Sequence, residues 1–220
     1  MRKDSNRYDV VFFDFDGTIS ESKEGITKST QVALRSFGIE VTDLNTLEPF
    51  VGPPLEDSFK KYYRFDDAQT KKAVSVFRSY YIKHGIFEQK IYVGIDDLIK
   101  SLYKNIVTCA IATCKPTHLT KIALERYGII DYLDPIVGSK LDGSRKSKRD
   151  VLSHAISKFD GVAKSKMLMV GDRSFDLMAA NDLGIDCIGV LYGYGDYEEL
   201  IASKPTYLVK SVAELTQILL

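Results

Sequence analysis

Apolar residues along this chain fall into two alternating patterns. Short uninterrupted runs predict strands buried on both faces, and longer stretches with apolar positions three or four apart predict helices. Together they describe a parallel sheet covered by helices. The runs lie at residues 8–13, leading directly into Asp14, and at 106–112, 135–137, 167–170 and 186–191, with a weaker one at 207–209. Between them, Pro116 is placed for a first helical turn, Leu119, Ile122 and Ala123 form an apolar stripe, and Gly128 can end that helix. Val151, Leu152, Ala155, Ile156 and Phe159 recur at helical spacing. Ser174 is a candidate cap for a helix carrying Phe175, Met178, Ala179 and Leu183, closed by Gly184.

Residues 20–92 break the alternation. They hold helical candidates at 26–37 and 68–83 and no strongly buried strand, and Val51, Gly52, Pro53, Pro54 and Leu55 read as a turn between the two. That stretch is too long for a plain crossover, so it reads as an inserted helical subdomain. The expected organisation is an α/β core made of residues 1–19 and 93–220, with residues 20–92 inserted into it. The aromatic run Tyr62, Tyr63, Arg64, Phe65 and the pair Tyr80–Tyr81 are expected to pack the insertion.

Composition narrows the function. The 220 residues carry 30 lysines and arginines against 30 aspartates and glutamates, so no global field draws in nucleic acid or an acidic membrane. No apolar run approaches the roughly 20 residues that span a bilayer. The N-terminus, MRKDSNRYDV, has basic residues but no following apolar region like that of a signal peptide, so the expected location is the cytoplasm. Cys109, Cys114 and Cys187 are odd in number and lack metal-type spacing, which suits reduced thiols. His84, His118 and His154 are scattered without ligand spacing.

Four short segments carry candidate chemistry. Asp14, Phe15, Asp16, Gly17 and Thr18 follow the first strand, at the carboxyl edge where parallel sheets bind ligands. Gly17 permits a turn that brings both carboxylates to one reacting group. Alone, the segment also reads as an acidic turn with a threonine cap. Ala112, Thr113, Cys114, Lys115 and Pro116 end the second strong strand, and a hydroxyl with backbone N–H groups beside a helix start suits a phosphate oxygen; an ordinary helix cap is the plainer reading. The basic segment at residues 144–150 offers a lysine able to neutralise both a phosphate and a carboxylate, although most of its charges read as a solvated face. Gly171, Asp172, Arg173, Ser174, Phe175 and Asp176 place two more carboxylates after a strand. Oxygen ligands of that kind suit magnesium, which keeps waters and a substrate phosphate in its shell; the alternative is helix capping.

In combination the four segments resemble the haloacid dehalogenase superfamily of hydrolases, specifically the phosphoglycolate-phosphatase-like branch with a small helical cap. The likeness spans nearly the whole chain. Its aspartate motifs are specific, and its cap signature (Gly25–Ile26, then Gly52, Pro53, Pro54 and Leu55) is looser. The resemblance implies a Rossmann-like parallel sheet core sandwiched by helices, with residues 20–92 as an α-helical cap. It also implies Asp14 as the nucleophile that forms an aspartyl-phosphate and Asp16 as general acid, then base. Thr113 and Lys148 would complete the catalytic set, and Gly17, Thr113, Cys114 and Lys148 would hold the phosphate. Mg2+ would be bound by Asp14, Asp172, the Asp16 backbone carbonyl and Asp176, the last directly or through water. Lys148 is preferred to Lys146 because it precedes the apolar pair Val151–Leu152 at the family's spacing. Cys114 departs from the serine or asparagine commoner in relatives. The implied substrate is a small phosphorylated metabolite, with neither nucleic acid nor membrane as partner, acted on by a monomer or homodimer. Two other readings stay open: a phosphomutase of related build, and a catalytically silent phosphate-binding module.

Overall fold

The computed structural model describes residues 7–140 and 144–220. The first six residues of the N-terminal segment lie outside the described residues. The chain divides into two compact units, one comprising residues 1–20 and 91–220 and the other residues 21–90.

In the first unit, six parallel strands form one sheet: β1 (Val10–Phe13), β4 (Thr108–Pro116), β5 (Leu133–Ser139), β6 (Met167–Gly171), β7 (Asp186–Val190) and β8 (Tyr207–Val209). Two further strands of two residues each, β2 (Ser20–Glu21) and β3 (Lys90–Ile91), pair with one another where the chain leaves and re-enters this unit. The sheet order is β5-β4-β1-β6-β7-β8. The chain therefore builds outward from β1 in both directions, and the order reverses there. Register is continuous at the centre, with Phe13 beside Ile111 on one side and Val170 on the other.

Side chains alternate across the sheet with period two. Val11, Phe13, Ile111, Leu168 and Val170 face α4 (Ile95–Lys104), α5 (Thr117–Arg126) and α9 (Val212–Leu219). Val10, Phe12, Ala110, Met167 and Met169 face α6 (Lys148–Ile156), α7 (Ser174–Leu183) and α8 (Tyr197–Ala202). Both faces are covered, which is why the central strands read as unbroken apolar runs. The strand starts shift from expectation. Ile106 lies in a left-handed turn (φ 63°) and is exposed, so β4 begins two residues later. Pro116 is the last residue of β4 and the cap preceding α5, rather than a helical residue.

The second unit is helical: α1 (Lys23–Arg35), a 3-10 turn at Leu44–Phe50, α2 (Leu55–Tyr63) and α3 (Asp67–Lys83). A reciprocal box between Asp66 and Gln69 starts α3. A β-carbon at Gly25 would strike the backbone carbonyl of Gly85, so glycine there sets the close approach of α1 to the turn after α3. The core is aromatic. Phe59 is fully buried, 5.0 Å from Phe50 and stacked at 5.8 Å on Phe65, which in turn lies 4.6 Å from Phe37. Tyr81 is buried as expected of a packing residue, while Tyr62 is exposed.

Truncating Phe59 to alanine should cost about 3–5 kcal/mol, the range for removing a buried aromatic ring. Hydrogen exchange checks where that loss falls: amides of α1 to α3 should lose protection while those of β1 keep theirs. Equal loss in both units would contradict two separate cores.

Candidate active site

β1 delivers Asp14 to the carboxyl edge of the sheet at the strand where the order reverses. In an open α/β sheet this is where the flanking crossovers diverge and leave a crevice. The Asp14 N–H donates to the Val170 carbonyl at 2.9 Å, so pairing with β6 continues through it. The chain then turns sharply. The Phe15 carbonyl accepts from the N–H groups of Thr18, Ile19 and Ser20, and the Gly17 N–H donates to the Ser20 carbonyl at 2.8 Å. Gly17 holds φ 87°, and a β-carbon on it would collide with the Asp172 carboxylate. The turn therefore fixes the first aspartate pair against the second.

β6 ends at Gly171, which leaves room for the Asp176 side chain; a β-carbon there would meet it. Asp172 is wholly buried. It accepts from the Thr18 hydroxyl at 3.2 Å and from the Tyr194 N–H at 2.9 Å. Asp176, in the first turn of α7, accepts from the Arg173 N–H at 3.1 Å. Ser174 proves to be the first helical residue, with Arg173 in the cap position.

Lys148 starts α6 and is 5% exposed, whereas Lys146 is half-buried. Its Nζ stands 2.7 Å from Asp14 Oδ1 and 2.6 Å from Asp176 Oδ1, and it donates to the Ala112 carbonyl at 3.0 Å. Thr113 is buried on the extension of β4 beyond β1, and its hydroxyl oxygen accepts from the Lys115 N–H at 3.2 Å. Asp16 is buried on the turn, where both of its oxygens accept from Lys115 Nζ, at 2.9 and 3.2 Å. Lys115 belongs to the second segment, where the sequence assigns it no role. Residues two apart on a strand share a face, so Lys115 follows Thr113, but its partner Asp16 is set by the pairing of β4 with β1.

Ligand atoms of Asp14, Asp172 and Asp176 lie within 4.8 Å of one another. Burial pushes the Asp172 carboxyl well above the usual carboxylate range, and the charges of Asp14 and Asp176 add to it against the Tyr194 N–H. Asp176 is pushed up to about 6 by burial, with Lys148 pulling it down and Asp14 raising it. Burial alone would lower the Lys148 ammonium, but Asp14 and Asp176 more than offset that and raise it. The Cys114 thiol is pushed up to about 12, chiefly by burial, and so stays protonated at neutral pH. Buried hard oxygens in excess of the neighbouring ammonium are the donor set that a small divalent cation satisfies.

A parallel sheet with this reversal point, carrying aspartates at the ends of two adjacent strands and a lysine between them, defines a class. The chain belongs to the haloacid dehalogenase-like hydrolase family, whose model matches residues 11–190. A 5'-nucleotidase of Pseudomonas aeruginosa is 38% identical over 100% of this chain and 99% of its own. A tyrosine-protein kinase of Mycobacterium tuberculosis, PtkA, is 32% identical over 95% of this chain and 70% of its own. Phosphoglycolate phosphatases of two Vibrio species match at 26–27% identity over 95–96% of each chain. Among solved structures, one described as a predicted phosphatase from Clostridium acetobutylicum superposes with a TM-score of 0.92 at 42% identity, over 96% of this chain and 97% of that one. Family, fold and relatives place the protein among the phosphomonoester hydrolases. Among the described residues, no helix is long and apolar enough to cross a membrane.

The raised carboxyls fix the sign of a stability effect. Between the ordinary aspartate value and about 6, the folded chain binds more protons than the unfolded one, so folding stability falls as pH rises through that window. In chelator, the melting temperature should drop from about pH 5 to about pH 7, and Mg2+ should restore more of it at the higher pH. Asp176→Asn should flatten the slope. A melting temperature that climbs across the window in chelator would contradict the crowded-carboxylate account.

Proposed function

We infer that this chain is a magnesium-dependent phosphatase that hydrolyses a small phosphomonoester in two displacements at Asp14. The observation that carries the reading is the buried group Asp14, Asp172 and Asp176, with Lys148 touching two of the three, at the reversal point of the sheet. The Asp14, Asp172 and Asp176 carboxylates and the Asp16 backbone carbonyl would hold the ion, which when bound supplies charge neutralisation for the transferring oxygens.

Asp14 attacks phosphorus, the ester P–O bond breaks, and the leaving alkoxide takes a proton from Asp16. Asp16 then removes a proton from water, which attacks the aspartyl-phosphate and frees Asp14. Lys148 screens the dianion from the attacking carboxylate. Thr113 accepts a backbone N–H and keeps its own proton for a phosphate oxygen. The Cys114 backbone N–H is assigned to the same phosphate. Gly17 contributes space beside it, since its own N–H is taken by Ser20. The inserted unit, residues 21–90, is assigned as the cap that selects substrate. Its support is the family resemblance and its insertion point, just after the aspartate turn. The three cysteines are unpaired thiols, in keeping with the reducing cytoplasm.

Asp14→Asn keeps the shape and removes the nucleophile, so turnover should fall by at least ~10⁴-fold with unchanged circular dichroism. Activity should require Mg2+ and vanish in chelator. Ca2+ should inhibit, because its larger, looser shell permits bidentate carboxylate binding and would misplace Asp14. Full activity in excess chelator would rule out the metal site.

The substrate class is tested by kcat/KM across nucleoside monophosphates, phosphoglycolate and pyrophosphate. Nucleotides lead, given the 38% identical 5'-nucleotidase, with phosphoglycolate next. A phosphotyrosine peptide, included because of the kinase relative, and a 5'-phosphorylated oligonucleotide complete the panel. Either macromolecule outranking every small ester would overturn the small-metabolite assignment. Isomerisation of a sugar phosphate in place of phosphate release would favour the mutase reading.

A further inference from the structure

Two buried lysines serve this site, and between them they take three of its four carboxylates. Lys148 lies against Asp14 and Asp176. Lys115 lies against Asp16, with side-chain exposures of only 5% and 10%. The second pair is built by parts of the chain 99 residues apart, the extension of β4 and the turn after β1. Its ammonium grips both carboxylate oxygens, at 2.9 and 3.2 Å, which fixes the plane of the carboxylate as well as its position. A wall of rings backs the lysine. Nζ stands 5.2 Å from the centre of the Phe15 ring, Phe15 stacks on Tyr127 at 6.3 Å, and the Tyr127 hydroxyl is 2.8 Å from Ser20 Oγ on the same turn. Removing an aspartate and a lysine from water together is costly, and buried ion pairs of this kind are weak sources of stability. The pair therefore calls for an explanation in terms of orientation.

We propose that Lys115 is a positioning residue for Asp16: it aims the Asp16 carboxylate at the leaving-group oxygen and makes no contact with the transferring phosphoryl group. The proposal rests on the reading of Asp16 as acid–base group given above. It separates the two lysines by task, Lys148 acting on charge at the nucleophile and Lys115 on the geometry of proton transfer. Such transfer is typically worth about 10²–10⁴-fold in rate, and it depends on hydrogen-bond reach.

The test is a leaving-group series of alkyl and aryl phosphates, with kcat/KM measured on the Mg2+-loaded enzyme for wild type, Asp16→Ala, Lys115→Met, Lys115→Arg and the Asp16→Ala/Lys115→Met double variant. Asp16→Ala should lose most on alkyl esters, whose alkoxides need a proton, and least on activated aryl esters. Lys115→Met should show the same slope on a smaller scale, about 10–100-fold on alkyl esters and under about 3-fold on activated aryl ones. Lys115→Arg should recover part of the alkyl rate, since it keeps the charge while changing the geometry. The double variant should be no worse than Asp16→Ala alone, because a positioning residue has nothing left to position. A Lys115→Met loss that is equal across leaving groups and multiplies with Asp16→Ala would overturn the proposal and place Lys115 on the phosphoryl group. If Lys115→Met fails to fold by circular dichroism, the slope of Lys115→Arg decides: a change confined to alkyl esters supports the proposal, and a uniform loss overturns it. A flat penalty for Asp16→Ala itself would instead refute the acid–base reading on which this rests, and so the two failures are distinct.

Discussion

Asp14, Asp16, Asp172 and Asp176 are all at least nine-tenths buried, at the ends of β1 and β6 and the start of α7, and the ammoniums set among them belong to Lys115 and Lys148. Four carboxylates against two ammoniums leave two negative charges in excess when all are ionised. Charge buried without a partner is expensive, and the local response is to raise the Asp172 and Asp176 carboxyls. A divalent cation removes the same imbalance without protonation. The site is thus organised around a deficit of positive charge, and the neighbouring structure follows from holding that deficit in place.

The glycines at the strand ends are one consequence. Gly17 and Gly171 stand where any β-carbon would collide with Asp172 or Asp176, so the turn after β1 and the end of β6 admit the carboxylates only because side chains are missing. The loop after β7 adds another restraint. The Tyr194 N–H holds Asp172 at 2.9 Å, and the Tyr192 hydroxyl donates to the Thr18 carbonyl at 3.1 Å. Backbone N–H groups hold Asp172 and Asp176, and buried lysines hold Asp14 and Asp16. Pre-aimed dipoles of this kind stabilise developing charge without reorganising at the moment of reaction.

Much of this was legible in the residue order. The central strands are buried on both faces, so their apolar runs stood out, and each of the three best-formed ones led into a candidate segment. The family resemblance pointed to Lys148 over Lys146 through its place before Val151–Leu152, and Lys148 is buried. Less was legible where the signal is tertiary. Helix α2 (Leu55–Tyr63) buries only Ser58 and Phe59, too few positions to mark a period against its lysines and tyrosines. Helix α4 has a clear period in Ile95, Leu98, Ile99 and Leu102, but it is short and lies directly against the boundary of the inserted unit. The Lys115–Asp16 pair joins residues 99 apart in sequence, and only the placement of β4 beside β1 brings them together. Strand register decides such contacts, and no local pattern encodes it.

The central claim is that the phosphoryl group rests on Asp14 between the two displacements. Rapid acid quench of enzyme mixed with a good substrate and Mg2+, followed by digestion and mass spectrometry, tests it directly. The account predicts one phosphoryl group on the peptide containing Asp14, formed and lost at rates that match turnover, and absent from Asp14→Asn. Phosphate release at full rate with the Asp14 peptide unmodified throughout the first turnover, or the group found on another residue, would contradict it.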